Sequence, residues 1–182
     1  MLPPIPVVLA PYDPKWPQIA AKLSHDLRVL GSCLVTVHHI GSTSVPGLVA
    51  KPTIDLIPVV NDLTVLDKER EHVEALGYKW HGEYGISGRR FCTLSDEDGK
   101  RIAHLHFFNN DSPHVLRHLA FRDYLRAHPD IAASYDVEKR RARDLHPNDS
   151  HAYTDEKSMW IRKTETQAIG WFGQQKTNAT PC

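Results

Sequence analysis

Two short segments of the sequence contain residue types that bind phosphate and metal. Gly41-Ser42-Thr43 follows a segment rich in β-branched residues, and Asp55 lies in the apolar segment that comes next. Glycine lets a backbone approach a phosphate because it has no Cβ, and the hydroxyls and amides after Gly41 can donate to phosphate oxygens. A carboxylate inside an apolar strand needs a cation or several donors, so Asp55 could hold Mg²⁺ against the same phosphates. The alternative is a serine-capped turn with an aspartate that caps a neighbouring group.

His104 and His106 extend this candidate site. Residues i and i+2 of a strand face the same side, so both imidazoles are expected to point to one surface. Two imidazoles and one carboxylate suit Zn²⁺, Mn²⁺ or Fe²⁺ better than Mg²⁺, which prefers oxygen. We therefore predict that Asp55, His104 and His106 are the catalytic residues and the ligands of a divalent metal, Mg²⁺, Mn²⁺ or Zn²⁺. Two alternatives stay open: one histidine is a general base or phosphate ligand, or both are partly exposed strand residues.

Arginines on a strand and on a helix are candidates for the predicted phosphate site. Arg89 and Arg90 open a strand, where adjacent residues face opposite sides, so at most one can point into a shared cleft; Arg90 is the candidate. Arg122 and Arg126 share a helix face. We expect Arg122 to point toward the Gly-Ser loop, where it would bind phosphate or pair with a carboxylate. The competing interpretation for both helical arginines is a solvated face.

Two lysines are further candidate phosphate ligands. Lys51 follows the Gly-Ser loop, and Lys157 shares a face of the last predicted helix with Tyr153. Lys157 could reach a phosphate, whereas the alternative is a tyrosine ring packed on the aliphatic part of the lysine. The basic run over 139–143 on the preceding helix is typical of a solvated helix face.

The elements that must position these residues can be read from hydrophobic spacing. Steps of three and four from Trp16 to Leu30 predict a helix that Asp13 caps and Gly31 ends. Strands are predicted over 33–40, 53–60, 78–81, 89–94 and 101–108, and further helices over 63–76, 113–128, 130–145 and 149–170. Pro58 cannot donate to a ladder, so the second strand is expected to be bulged or to end there. Strands come first and helices dominate the C-terminal half, which predicts an α+β fold with a mixed sheet flanked by helices.

Length and composition restrict the function classes. The 182 residues predict one domain over 1–172 with a flexible tail over 173–182. Lys+Arg and Asp+Glu are both 22, and this zero formal charge gives no extended basic surface for nucleic acid or for a membrane. No apolar run approaches the ~20 residues of a membrane helix, and the N-terminus does not read as a secretory signal. The three widely spaced cysteines predict no disulfide framework, so a cytoplasmic location is expected.

Longer motifs point to a known family. The segments HIGSTSVPGL and AKPTIDL resemble the signature of the GrpB family, a branch of the nucleotidyltransferase superfamily, and so do PYDPKWP, HLHFF and FRDYLRAHP in the same order. The chain also resembles a domain fused to some dephospho-coenzyme A kinases. The resemblance implies a nucleotidyltransferase-like mixed sheet. The superfamily pattern places Asp-x-Asp/Glu after Gly-Ser and a third acid on a later strand, but Ile57 stands here at the second acid position.

Ile57 at the second acid position leaves more than one function open. The first hypothesis is a nucleotidyltransferase-like protein that binds a nucleotide or another phosphorylated small molecule and transfers a nucleotidyl group to a small-molecule hydroxyl with a divalent metal. The second is a non-catalytic ligand-binding or regulatory domain, which Ile57 favours because one carboxylate is not enough for two-metal chemistry. The third is a metal-dependent hydrolase that uses the histidine pair. The sequence makes no prediction of the oligomeric state.

Overall fold

A five-stranded mixed sheet forms the centre of the molecule. The computed structural model describes residues 3–178. The strands are β1 Leu34–Ile40, β2 Ile54–Val60, β3 Lys79–Trp80, β4 Arg90–Ser95 and β5 Arg101–Asn109, in the spatial order β1-β2-β5-β4-β3. β2 and β5 are parallel, whereas the other neighbouring pairs are antiparallel. The predicted α+β class with a mixed sheet is confirmed.

Seven α-helices flank the sheet within the described residues. They are α1 Trp16–Asp26, α2 Leu63–Lys68, α3 Arg70–Ala75, α4 Pro113–Ala127, α5 Pro129–Leu145, α6 Ser150–Glu156 and α7 Ser158–Asn178. Short 3₁₀ segments cover Leu27–Cys33 and Ser42–Ser44. No helix in the described part of the chain is long and apolar enough to cross a bilayer.

Several element boundaries differ from the prediction. The predicted helix over 63–76 is two helices, because Glu69 has non-helical backbone angles at their junction. The predicted helix over 149–170 divides at Lys157 and then continues to Asn178. Within the tail predicted over 173–182, residues 173–178 are therefore helical, and residues 179–182 lie outside the described part of the chain. At the first helix the N-cap is Lys15, and Asp13 instead accepts a hydrogen bond from the Lys15 amide at 2.9 Å.

The second strand passes through Pro58, where an interruption was predicted. Pro58 pairs with Val37 of β1 in the antiparallel ladder. On the other side, the parallel ladder joins Leu56 to Leu105 and resumes at Val59 and Phe108. The missing N–H is thus accommodated by a local gap in one ladder, and the strand itself continues.

Alternation along β2 and β5 divides the core between the two faces of the sheet. Leu56 and Leu105 face the main apolar cluster, which contains residues of α1, α2 and α3. Ile57 and Phe108 face a second cluster with Val115 of α4. Because side chains alternate along a strand, Asp55 shares the face of Ile57 and is directed toward the C-terminal helices.

Candidate metal and phosphate site

Asp55, His104 and His106 come together on that face of the sheet. β2 and β5 are parallel neighbours whose register sets Asp55 opposite His104. Asp55 Oδ1 lies 2.9 Å from His104 Nδ1 and 3.6 Å from His106 Nε2. One ligand atom from each residue lies within 4.8 Å of the other two. β5 is regular here, so the spacing of two residues gives both imidazoles a common direction, as predicted.

The protonation states of two members of this triad, Asp55 and His106, fit metal binding. Burial alone would raise the pKa of Asp55, but hydrogen bonds from His104 and His106 outweigh it and hold the pKa below its usual range. Burial lowers the pKa of His106, although Asp55 opposes this shift. At neutral pH the site therefore contains a carboxylate beside a neutral imidazole, and these are the forms that ligate a divalent cation.

The arginine that approaches the triad is Arg89, and the candidate Arg90 lies elsewhere. Arg90 pairs with Asp67 of α2 at 2.6 Å, on the opposite face of the sheet. Arg89 is buried, with its guanidinium 4.9 Å from the ring centre of Phe91 and its Nη1 3.4 Å from His106 Nδ1. Strand alternation allows only one of the two arginines at the site, and the sequence does not show which.

The Gly-Ser loop packs directly against Asp55. Gly41 has φ 70° and ψ −176°, and a Cβ at this position would lie 2.6 Å from Asp55 Oδ2. Glycine is therefore required both for the backbone angles and for the close approach. Thr43 is buried, and its hydroxyl lies 3.0 Å from His39 Nε2. Ser42 is half-buried and lines a cavity that also contains Asp55 and both histidines of the triad. Ser42 thus has the more accessible hydroxyl of the two.

Arg122 and Arg126 hold the backbone of this loop in place. Arg122 donates to the carbonyl oxygen of His39 at 3.0 Å and pairs with Asp123 at 2.7 Å. Arg126 donates twice to the carbonyl oxygen of Ser44, at 3.0 and 2.7 Å. Arg122 lines the same cavity as the loop, but its carboxylate partner is Asp123. The repulsion expected between the two arginines is relieved by Asp123, which contacts both.

Three lysines line the same cavity as the Gly-Ser loop. Lys51 and Lys157 were candidates from the sequence, and Lys139 was not. Lys139 was predicted on a solvated face, but its side chain is 1% exposed and its Nζ contacts Asp136 at 2.7 Å and the carbonyl oxygen of Val49. The prediction is wrong because the chain around Val49 covers this face of α5, a tertiary contact that helical spacing does not reveal.

These groups share one cavity of about 370 Å³. Its wall contains the triad, the Gly-Ser loop and the lysines, together with Tyr135, Tyr153 and His118. A larger groove of about 870 Å³ lies between α1 and β1 and contains none of the triad. The smaller cavity is therefore the one in which the predicted chemistry is concentrated.

The arrangement of strands and helices is a nucleotidyltransferase-like fold. A structure of the Cid1 poly(U) polymerase with Mg 3′-dATP superposes with a TM-score of 0.54, covering 76% of this chain and 45% of that chain. At 13% identity this likeness shows the fold alone.

The sequence matches the family model described as GrpB protein over residues 6–167, and the chain belongs to the GrpB family. The crystal structure of conserved protein GrpB from Enterococcus faecalis is 35% identical with a TM-score of 0.85, covering 91% of this chain and 99% of that one.

Some relatives are longer than this chain. UPF0157 protein YqkA of Bacillus subtilis (strain 168) is 38% identical over 161 residues, which cover 88% of this chain and 46% of that protein. A dephospho-CoA kinase of Mycolicibacterium paratuberculosis is 29% identical over 192 residues, which cover 91% of this chain and 47% of the kinase. The chain thus spans about half the length of these two relatives, and the expected similarity to dephospho-CoA kinases is confirmed.

Proposed function

We propose that this protein binds a nucleotide or another phosphorylated small molecule together with a divalent metal. The observation that carries the proposal is that Asp55, His104 and His106 open onto the same cavity as Ser42 and Lys51. A mixed nitrogen and oxygen donor set favours Zn²⁺ or Mn²⁺ over Mg²⁺. The cavity is of a size suited to a small molecule, and the chain has no net positive charge, so nucleic acid is not the proposed ligand.

The residues around the cavity support nucleotidyl transfer to a small-molecule hydroxyl. When bound, the metal would neutralise charge on the phosphate oxygens. Ser42 and the loop amides would donate to the phosphate, and Lys51 would supply a positive charge. Asp55 orients His104 through the 2.9 Å hydrogen bond, which leaves His104 Nε2 as the free ring nitrogen. The loop itself is kept in position by Arg122 and Arg126.

A binding domain without catalysis is the second candidate, and Ile57 is the observation that favours it. Ile57 is fully buried among apolar side chains that include Phe108 and Val115. The position therefore contributes to the core and offers no second carboxylate. Turnover distinguishes these two candidates from each other and from a hydrolase. Release of pyrophosphate from a nucleoside triphosphate with a hydroxylated acceptor supports transfer, and release of phosphate without an acceptor supports a hydrolase. Binding without either release supports the non-catalytic domain.

Thermal unfolding with Mn²⁺, Zn²⁺ or Mg²⁺, alone and with ATP, tests the binding site. A ligand present at 100 times its Kd stabilises the folded state by about 2.7 kcal/mol, which corresponds to a rise in Tm of about 5–10 °C for a chain of this size. Asp55→Asn and the double change His104→Gln/His106→Gln should remove the metal-dependent part of this rise. Asp67→Asn and His72→Gln are matched controls, since both residues form exposed pairs away from the cavity. Equal shifts in wild type and in the triad variants would refute the proposal.

A further inference from the structure

Lys157 is a buried lysine that lacks a polar partner. It lies at the junction of α6 and α7, and the residue is 8% exposed. Its Nζ is 4.0 Å from the ring centre of Tyr153 and 6.0 Å from that of Tyr135. Across the described residues, no carboxylate or carbonyl oxygen lies within hydrogen-bonding distance of this Nζ, which instead faces the aromatic wall of the cavity.

The other lysines of the cavity are arranged differently. Lys139 lies 4.7 Å from the Tyr135 ring centre, but its charge is matched by Asp136. Lys51 lies 5.5 Å from the Tyr153 ring centre and has no acid in contact among the described residues. The two tyrosine rings are therefore surrounded by three lysine nitrogens, and within the part of the chain that the structure describes only Asp136 provides a carboxylate in contact with them. Lys157 is the most enclosed of the nitrogens that lack a partner.

The environment of Lys157 favours the neutral amine. Burial has the largest effect, and the charges of Lys51 and Lys139 add to it, so that the pKa of Lys157 falls to about 7. Asp55 and Glu138 act in the opposite direction without reversing the shift. Above this pH most of the molecules have an unprotonated amine. Desolvation and neighbouring cations are the two devices that activate lysines as nucleophiles in enzymes.

We propose that Lys157 is a nucleophilic lysine that forms an imine with a phosphorylated aldehyde or ketone small enough to enter the cavity. The amine nitrogen attacks the carbonyl carbon, a C=N bond replaces the C=O bond, and the carbonyl oxygen leaves as water with the two protons of the amine. No oxidant, reductant or metal takes part. Lys51 holds the phosphate of the same molecule, because it is the other cation of the cavity without an acid partner. This reaction goes beyond the proposed metal site and does not depend on it. In imine formation Lys157 acts as a neutral amine and not as a phosphate-binding ammonium.

Reductive trapping tests the proposal on the full chain. Pyridoxal 5′-phosphate serves as the phosphorylated aldehyde, borohydride fixes the imine, and peptide mass spectrometry locates the adduct. At a pH of about 7.5 an amine with a pKa near 7 is about three-quarters unprotonated, against about one part in a thousand for an ordinary lysine. We expect Lys157 to be modified at least about tenfold faster than any other lysine, with a half-maximal rate near pH 7. Lys139, which is also buried but is paired with Asp136, is the internal control.

Variants and a second probe make the test decisive. Lys157→Arg replaces the amine with a guanidinium, which does not act as the nucleophile here, and Lys157→Met fills a similar volume without a nitrogen. Both should abolish the fast phase while other lysines react as before. Lys51→Met removes a charge that lowers the pKa of Lys157, so both probes should slow, and the phosphorylated probe should slow several-fold more than unphosphorylated pyridoxal. An equal effect on the two probes would show that Lys51 does not hold the phosphate. Labelling that follows surface exposure, a half-maximal rate near the ordinary lysine pKa, or a fast phase that persists in Lys157→Arg would each overturn the proposal. None of these readouts depends on metal or nucleotide binding, so failure here is distinct from failure of the proposed function.

Discussion

Replacing Gly41 with alanine should destabilise the fold and the candidate site together. The backbone angles of Gly41, φ 70° and ψ −176°, belong to a region that only glycine occupies freely, and an alanine there costs about 1–3 kcal/mol. The new Cβ would also lie 2.6 Å from Asp55 Oδ2, too close for any real contact. The carboxylate must then move away from His104, which weakens a partly buried charge-assisted hydrogen bond and costs about 1–3 kcal/mol more.

Urea and thermal unfolding measure this loss against a matched glycine. The sum of about 2–6 kcal/mol corresponds to a fall in Tm of about 4–24 °C for a chain of this length. Gly47→Ala is the control, since Gly47 has φ 83° but no atom within 4 Å of the position that a Cβ would take, so only backbone strain is expected there. In the double variant Gly41→Ala/Asp55→Ala the clash with Oδ2 is absent, and the two effects should be less than additive by about 1–3 kcal/mol. If Gly41→Ala costs no more than Gly47→Ala, the close approach of the loop to Asp55 is wrong.

Three further changes test separate parts of the structure. Arg126→Met should lower the free energy of unfolding in urea by about 1–3 kcal/mol, because the carbonyl oxygen of Ser44 loses both of its guanidinium donors; no loss would show that the loop does not need this anchor. Asp62→Ala should cost about 1 kcal/mol by the same measurement, since Asp62 caps α2 through the amide of Thr64, and a cost near zero would contradict this capping role. Burial lowers the pKa of His39 to about 4, so the native state stays neutral while the unfolded state takes up a proton below about pH 6.5. Stability is therefore lost as the pH falls through this range. His39→Gln should reduce the loss between about pH 7 and 5 by about 1–2 kcal/mol after allowance for solvent screening. An unchanged pH dependence would show that His39 does not titrate in this way.

The proximity of Asp55, His104 and His106 could be predicted from the sequence because it depends on local periodicity. The period of two along β5 sets His104 and His106 on one face, and an isolated acid in an apolar strand marks Asp55 as unusual. Each of these signals needs only the residue types within one strand. Parallel pairing of β2 with β5 then brings the two strands into register.

The positions of the basic residues could not be predicted in the same way. Whether Arg89 or Arg90 faces the triad depends on the register of β4 against β5, and this register is set by residues far away in the sequence. Lys139 was predicted to be solvated because its neighbours in the chain are charged, yet the segment around Val49 covers it. A tyrosine four residues before the lysine and an aspartate three residues before it are the local signal that could have identified Lys139, since a buried ammonium needs such partners.

The donor set of the candidate site would determine the charge of the cavity with a divalent cation bound. Three carboxylates around a divalent cation would leave a net negative charge, whereas Asp55 with two neutral imidazoles leaves a net positive one. Lys51 adds a further positive charge to the same cavity and has no acid in contact among the described residues. Because the whole chain has a formal charge of zero, this excess is local and not a general property of the surface. We expect a cavity with this distribution to attract a compact, strongly anionic molecule, whether the protein transfers a nucleotidyl group or only binds its ligand.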